Sequence, residues 1–176
     1  MSAAVDSALA FAERAPESTR SRTVTWQDPM PAARAAAGMS GLEYMRAVAS
    51  GEVAPPPIAV LLRLGPVEID EGRVVFEGEP GEEHYNPIGT VHGGYAATLL
   101  DSAIGCAVHT TLPAGEGYST QTLEAKFVRP ITTETGTLRC EARVLHRGRR
   151  QATAEARVYD PAGKLVAHGT GTCLIL

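Results

Sequence analysis

The chain is poor in cysteine, in aromatic residues and in long apolar runs. Its three cysteines in 176 residues, Cys106, Cys140 and Cys173, are odd in number and widely spaced, which excludes a disulfide framework. None lies near a second cysteine or a histidine at the short spacing of zinc sites, and the five histidines are scattered, so no metal and no cofactor are expected. No stretch approaches the roughly 18 apolar residues that span a bilayer. The N-terminus lacks the basic start and apolar core of a signal peptide and carries Asp6, Glu13 and Glu17, so the expectation is a cytoplasmic protein with no membrane partner. Positive charge is not in excess: the net charge of −4 removes any global pull toward nucleic acid.

What is present is an ordinary composition, 44% hydrophobic, enough for one domain with a sizeable core plus an N-terminal appendage. Residues 1–38, rich in Ala, Ser, Arg and Pro with weak periodicity, read as a flexible or partly helical extension. Residues 39–57 read as a helix and a Pro-rich link. Ser40 with Glu43 three residues on makes a capping signal, Leu42, Met45 and Val48 share a face, and Pro55-Pro56-Pro57 forces an extended exit near Gly51. The main domain is expected over 58–176, opening with IAVLLRL (58–64) as a short helix.

From Val67 onward the pattern is strand-like. Asp70-Glu71-Gly72 marks a hairpin. Residues 137–145, 151–159 and 165–175 each alternate apolar and polar positions, and in 119–129 Leu123, Ala125 and Phe127 share one parity, on which Ser119 also falls. A period of two repeated four times predicts an antiparallel sheet with one buried face. That face is dominated by alanine and glycine, so the sheet can curl tightly around the one long apolar element, a helix over 92–110. The expected fold is α+β, a curved antiparallel sheet wrapped around a central helix.

Within VHGGYAATLLDSAIGCAVHT (91–110), Asp101 is the only formally charged side chain. A buried carboxylate costs several kcal/mol unless it is hydrogen-bonded or its pKa rises. Gly93-Gly94 lies about two turns upstream, where open backbone N–H groups can receive an anion. An expensive carboxylate and an oxyanion site on one segment point to acyl-transfer or hydrolytic chemistry. Blander readings stand beside this one: Asp101 as the cap of a second helix, His92 as a structural histidine, Gly93-Gly94 as a tight helix entry, Asn86 before Pro87 as a turn residue, and Ser119 as a partner of nearby backbone.

The stretch NPIGTVHGGYAATLLDSA (86–103) resembles the signature of hot-dog-fold acyl-CoA thioesterases of the phenylacetate-degradation (PaaI-like) type, and FVRPI (127–131) and DPAGKL (160–165) look similar too. The resemblance covers residues 58–176. It implies a hot-dog fold and hydrolysis of a CoA-linked acyl group, possibly aryl, to free acid and CoA. It further implies that the Gly93 N–H binds the thioester carbonyl, Asn86 orients that carbonyl or the attacking water, and His92 supports the loop or touches substrate. Asp101 would be general base or nucleophile. Some relatives carry Glu at that position with Thr one turn later; here the later position is Gly105, and Ser119 would supply the supporting hydroxyl. Gly94, Arg129, Arg147, Arg149 and Arg150 are candidates for binding substrate or the CoA phosphates.

Gly93 and Asp101 are eight residues apart, about 12 Å along a helix axis, whereas groups acting on one carbonyl must lie within roughly 3–4 Å of it. One subunit cannot supply both. Two copies related by a two-fold axis can, so a homodimer, or a dimer of dimers, with sites at the dimer interface is expected. Two other readings fit the same pattern: an enoyl-CoA hydratase or dehydratase of this fold, and a non-catalytic acyl-CoA-binding protein. Residues 1–57 show no basic helix pair of the kind that would bind DNA.

Overall fold

The computed structural model describes residues 18–176; the expectation for the first 17 residues lies outside them. Helix α1 spans Pro29–Gly38, with Asp28 as its cap accepting from the Met30 N–H, but it buries no side chain. Helix α2 spans Gly41–Ser50. The Ser40 hydroxyl accepts from the Glu43 N–H while the Glu43 carboxylate accepts from the Ser40 N–H, and Gly51 closes the helix in a left-handed conformation at φ 80°.

Helix α3 spans Pro57–Leu62, shorter than the apolar run suggested. Arg63, at φ 50°, turns the chain directly into strand β1, Leu64–Asp70, so β1 begins three residues before the alternation at Val67. Strand β2, Arg73–Gly78, follows the Asp70-Glu71-Gly72 turn.

Helix α4 then runs unbroken over Gly93–His109, capped by His92 and Thr110, so Asp101 sits in mid-helix and caps nothing. The remaining strands are β3, Tyr118–Phe127; β4, Leu138–Arg147; β5, Gln151–Tyr159; and β6, Leu165–Ile175. All pair antiparallel in the order β1-β2-β4-β5-β6-β3.

The small residues of the inner face let α4 lie close. Ala142, Ala152, Ala154, Ala156, Ala167, Gly169 and Gly171 are buried beneath Leu99, Leu100, Ala103, Ile104, Ala107 and Val108. A Cβ at Gly171 would lie 3.0 Å from Ile104 Cγ2, which shows how little room remains. Full burial of Leu99, Leu100 and Ile104 contributes about 1.5–3 kcal/mol each, and these side chains tie the helix to the sheet.

Strand β3 departs from the sequence pattern. A bulge between Thr120 and Thr122 inserts one residue against β6, so the parity changes along the strand. Leu123 and Ala125 lie on the partly buried face, but before the bulge that face carries Tyr118 and Thr120. Ser119 is exposed and on the other face, contrary to its expected inward parity. Among the described residues β3 has a strand on one side only, which leaves the other edge open to pairing.

Candidate active site

The two ends of α4 open into two different clefts. At the N-terminal end, Asn86, Thr90, Gly93, Ala96, Phe127 and Arg129 line a cleft of about 360 Å³. The loop that enters the helix is tightly pinned. The Asn86 side chain accepts from the N–H groups of Ile88 (3.0 Å) and Thr90 (3.2 Å) and donates to the Thr90 hydroxyl at 2.9 Å. Val91 N–H donates to the Ile131 carbonyl and His92 N–H to the His84 carbonyl, each at 2.8 Å.

His92 then caps the helix, its Nδ1 accepting the Gly94 N–H at 2.8 Å. This hydrogen bond uses the Gly94 donor. The Gly93 N–H, by contrast, has no partner among the described residues and opens at a helix N-terminus, where the macrodipole favours negative charge. Arg129 shares this cleft and donates to the Leu165 carbonyl.

Asp101 lies elsewhere. It lines a chamber of about 510 Å³ with Ser102, Cys106, His109, Tyr118 and Thr120, to which α2, α3 and the start of β1 also contribute. Its Oδ1 is buried and has no hydrogen-bond partner. A buried polar atom left unsatisfied costs about 1–3 kcal/mol, a cost this oxygen shares among the described residues with the Tyr95 hydroxyl and Arg147 Nε.

The surroundings of Asp101 are held neutral. Burial pushes the Cys106 thiol up to about 12 and the Tyr118 phenol well above its ordinary 10, and the nearby Asp101 charge adds to both shifts. Burial also lowers His109 below its ordinary 6.5, so its ring is neutral where it lies against Tyr44 and Tyr118, with centroids 5.5 and 5.4 Å away. Gly105 makes this stacking possible: a Cβ there would come within 2.7 Å of the Tyr118 ring.

The sequence-derived candidates thus divide into groups. Asn86, Gly93 and Arg129 converge in one cleft, Asp101 stands in the other, and His92 and Gly94 are bonded to each other at the helix cap. Ser119 lines neither cleft. Thr120, which the alternating pattern placed outside, takes the inward position beside Asp101; the signal for it, a one-residue bulge, is absent from periodicity.

Arg147 is paired with Glu116 at 2.9 Å and bonded to the Gly148 carbonyl, while Arg149 and Arg150 carry no ion pair among the described residues. These three sit at the β4–β5 hairpin, beside the start of β3, whereas the Gly93 cleft lies at its end, about 30 Å away along a ten-residue strand. Among the described residues no group of three or more His, Cys, Asp or Glu side chains could hold a metal ion, and no helix is long and apolar enough to cross a membrane.

Comparison with known proteins agrees with the fold. The family model of the Thioesterase superfamily matches residues 88–167, which include α4 and the Gly93 and Asp101 positions. Human acyl-coenzyme A thioesterase 13 is 32% identical over 114 residues, 64% of this chain and 80% of that protein. The solved structure of a phenylacetic acid degradation-related protein from Ralstonia eutropha JMP134 superposes with a TM-score of 0.69 at 32% identity, over 74% of this chain and 98% of that one. The Escherichia coli PaaI protein, at 24% identity and a TM-score of 0.67 over 79% of this chain and 96% of that one, shares the fold. The chain belongs to the Thioesterase superfamily: it has the hot-dog fold and is a thioester hydrolase.

Proposed function

We propose that the protein hydrolyses acyl-CoA thioesters as a two-fold dimer, each site combining the Asp101 chamber of one protomer with the Gly93 cleft of the other. The observation that carries this reading is the separation of Asp101 and Gly93 into two clefts on one helix, about 12 Å apart along its axis. An antiparallel pair of helices brings each cleft against the other copy's chamber. The open edge of β3, and the exposed Ile88, Phe127 and Val128 around the Gly93 cleft, offer the surface for it.

In this reading the partner's Gly93 N–H and helix dipole polarise the thioester oxygen. Asp101 removes a proton from water positioned with Thr120, and the hydroxide attacks the carbonyl carbon. The tetrahedral oxyanion collapses with cleavage of the C–S bond, and the proton held on Asp101 passes to the CoA sulfur. Direct attack by Asp101 on the carbonyl, giving a mixed anhydride that water then cleaves, uses the same two groups.

Arg129, which lines the Gly93 cleft, would meet the CoA arm as it leaves. Antiparallel β3 pairing would also carry the unpaired Arg149 and Arg150 of one copy toward the other's Gly93 end, within reach of phosphates.

The deciding experiment is a thiol-release assay on acyl-CoA substrates of graded length and aromatic character, with Asp101→Asn alongside. Release by the native protein and its loss in the variant support the proposal. Hydration of crotonyl-CoA without thiol release would identify a hydratase instead, and binding without turnover a sensor.

A further inference from the structure

The Asp101 chamber owes its far wall to residues outside the 88–167 family match. Helix α2 contributes Met45 and Val48, the link contributes Pro55, and α3 contributes Ile58 and Ala59, facing Asp101 across the cavity. This wall is firmly attached to the domain. The Gly41 N–H donates to the Leu112 carbonyl at 2.9 Å, Met45 and Ala59 are buried in the main core, and Arg22 fastens the end of α3 by bonding the Val60 and Leu61 carbonyls together with Glu83.

The lining is as informative for its charge as for its shape. Among the described residues Asp101 is the only acidic side chain in it, and none is a lysine or arginine. The one histidine, His109, is kept neutral by burial.

We infer that the α2–α3 wall is the acyl selector of this enzyme, and that it admits an uncharged apolar acyl group larger than acetyl and rejects acyl groups that end in a carboxylate. The inference rests on the acyl-CoA reading above. A volume of about 510 Å³ falls within the roughly 300–1,000 Å³ of small-molecule sites, far more than a two-carbon acyl group fills. A second carboxylate deep in this chamber, against the α2–α3 wall, would be desolvated beside Asp101 with no cation among the described lining residues to pair with. An alkyl or aryl tail instead gains binding with each CH₂ removed from water.

The test compares kcat/KM for acetyl-, octanoyl-, phenylacetyl- and succinyl-CoA in the native protein, Val48→Trp, Ile58→Trp and Val48→Arg, each checked for folding by thermal melting. Native protein is expected to favour octanoyl- or phenylacetyl-CoA over succinyl-CoA by at least a hundredfold. Each Trp variant should lower the octanoyl-to-acetyl ratio tenfold or more, and two positions guard against one of them failing to fold. Val48→Arg should raise the succinyl-to-octanoyl ratio by a similar factor.

Ratios unmoved in every folded variant, or succinyl-CoA accepted as readily as octanoyl-CoA by the native protein, would overturn the selector. The absence of thiol release from every ester by the native protein would instead overturn the thioesterase reading beneath it.

Discussion

The two ends of α4 were built by opposite means. At its N-terminus the backbone is exposed and the loop before it rigid: His92, Asn86 and Thr90 spend their side chains on local hydrogen bonds, so that one N–H, that of Gly93, is left pointing into a cleft. Two turns on, the helix is surrounded by side chains. There a single carboxylate oxygen is left unbonded inside an apolar chamber. One cleft offers a donor to negative charge and the other an acceptor to a proton; in the proposed reading these are the two halves of ester hydrolysis. Helix geometry forbids one copy of the chain from joining them.

The difference between the ends can be broken at each in turn. Asp101→Asn should cost the most, with kcat down about 10²–10⁴-fold, the range for losing a general base. Its folded structure should remain, because Asn has the same shape and the Asp101 side chain makes no hydrogen bond or ion pair among the described residues; thermal melting alongside kinetics checks both halves of that expectation.

Gly93→Pro should come next. Proline is well accepted at the first helical position and removes only the N–H, so a loss of about 10²–10³-fold in kcat is expected from the missing oxyanion donor. Gly93→Ala keeps the N–H, and its Cβ would meet the Phe127 ring at an ordinary 3.4 Å, so it should retain most activity. If Pro and Ala behaved alike, the N–H would not be the operative group.

His92→Ala removes the helix cap. It should lower stability by about 1 kcal/mol, a fall in Tm of roughly 2–4 °C, with a much smaller kinetic effect than either change above. His92→Asn, a good cap by another route, should restore the Tm.

The smallest effect belongs to the chamber end. Burial among Tyr44 and Tyr118 lowers His109 below its ordinary 6.5, so the unfolded chain takes up a proton there more readily than the folded one. The stability contribution is therefore whole above pH 6.5 and is lost as pH falls below that value toward the folded pKa. His109→Phe, which keeps a ring in the stack, should flatten the decline in Tm between pH 7 and 5.

Much of this organisation could be read from the chain. Alternation along β5 and most of β4 and β6, the Ser40–Glu43 capping box and the alanine-rich inner face define the wrap of sheet around helix, because burial on one face imposes period two. Periodicity failed where the backbone departs from regularity. Nothing in YSTQTLEAKF announces the bulge before Thr122, so Ser119 was assigned to the face that Thr120 occupies.

Arg63 ends α3 with a left-handed residue that only three-dimensional packing selects, which displaced the start of β1. The chamber was the least legible feature. Its walls come from segments some 40 to 60 residues apart, brought together by tertiary contacts with no local signature.

The most direct test of the shared site is complementation. Asp101→Asn and Gly93→Pro are each expected to be nearly inactive alone. When the two are co-refolded at equal amounts, half the dimers should be mixed, and one of the two sites in each mixed dimer should combine an intact Asp101 with an intact Gly93. Activity should then return to about one quarter of the native value. Mixed dimers, verified by differential tagging, that regain no activity would contradict a site built from two copies of the chain.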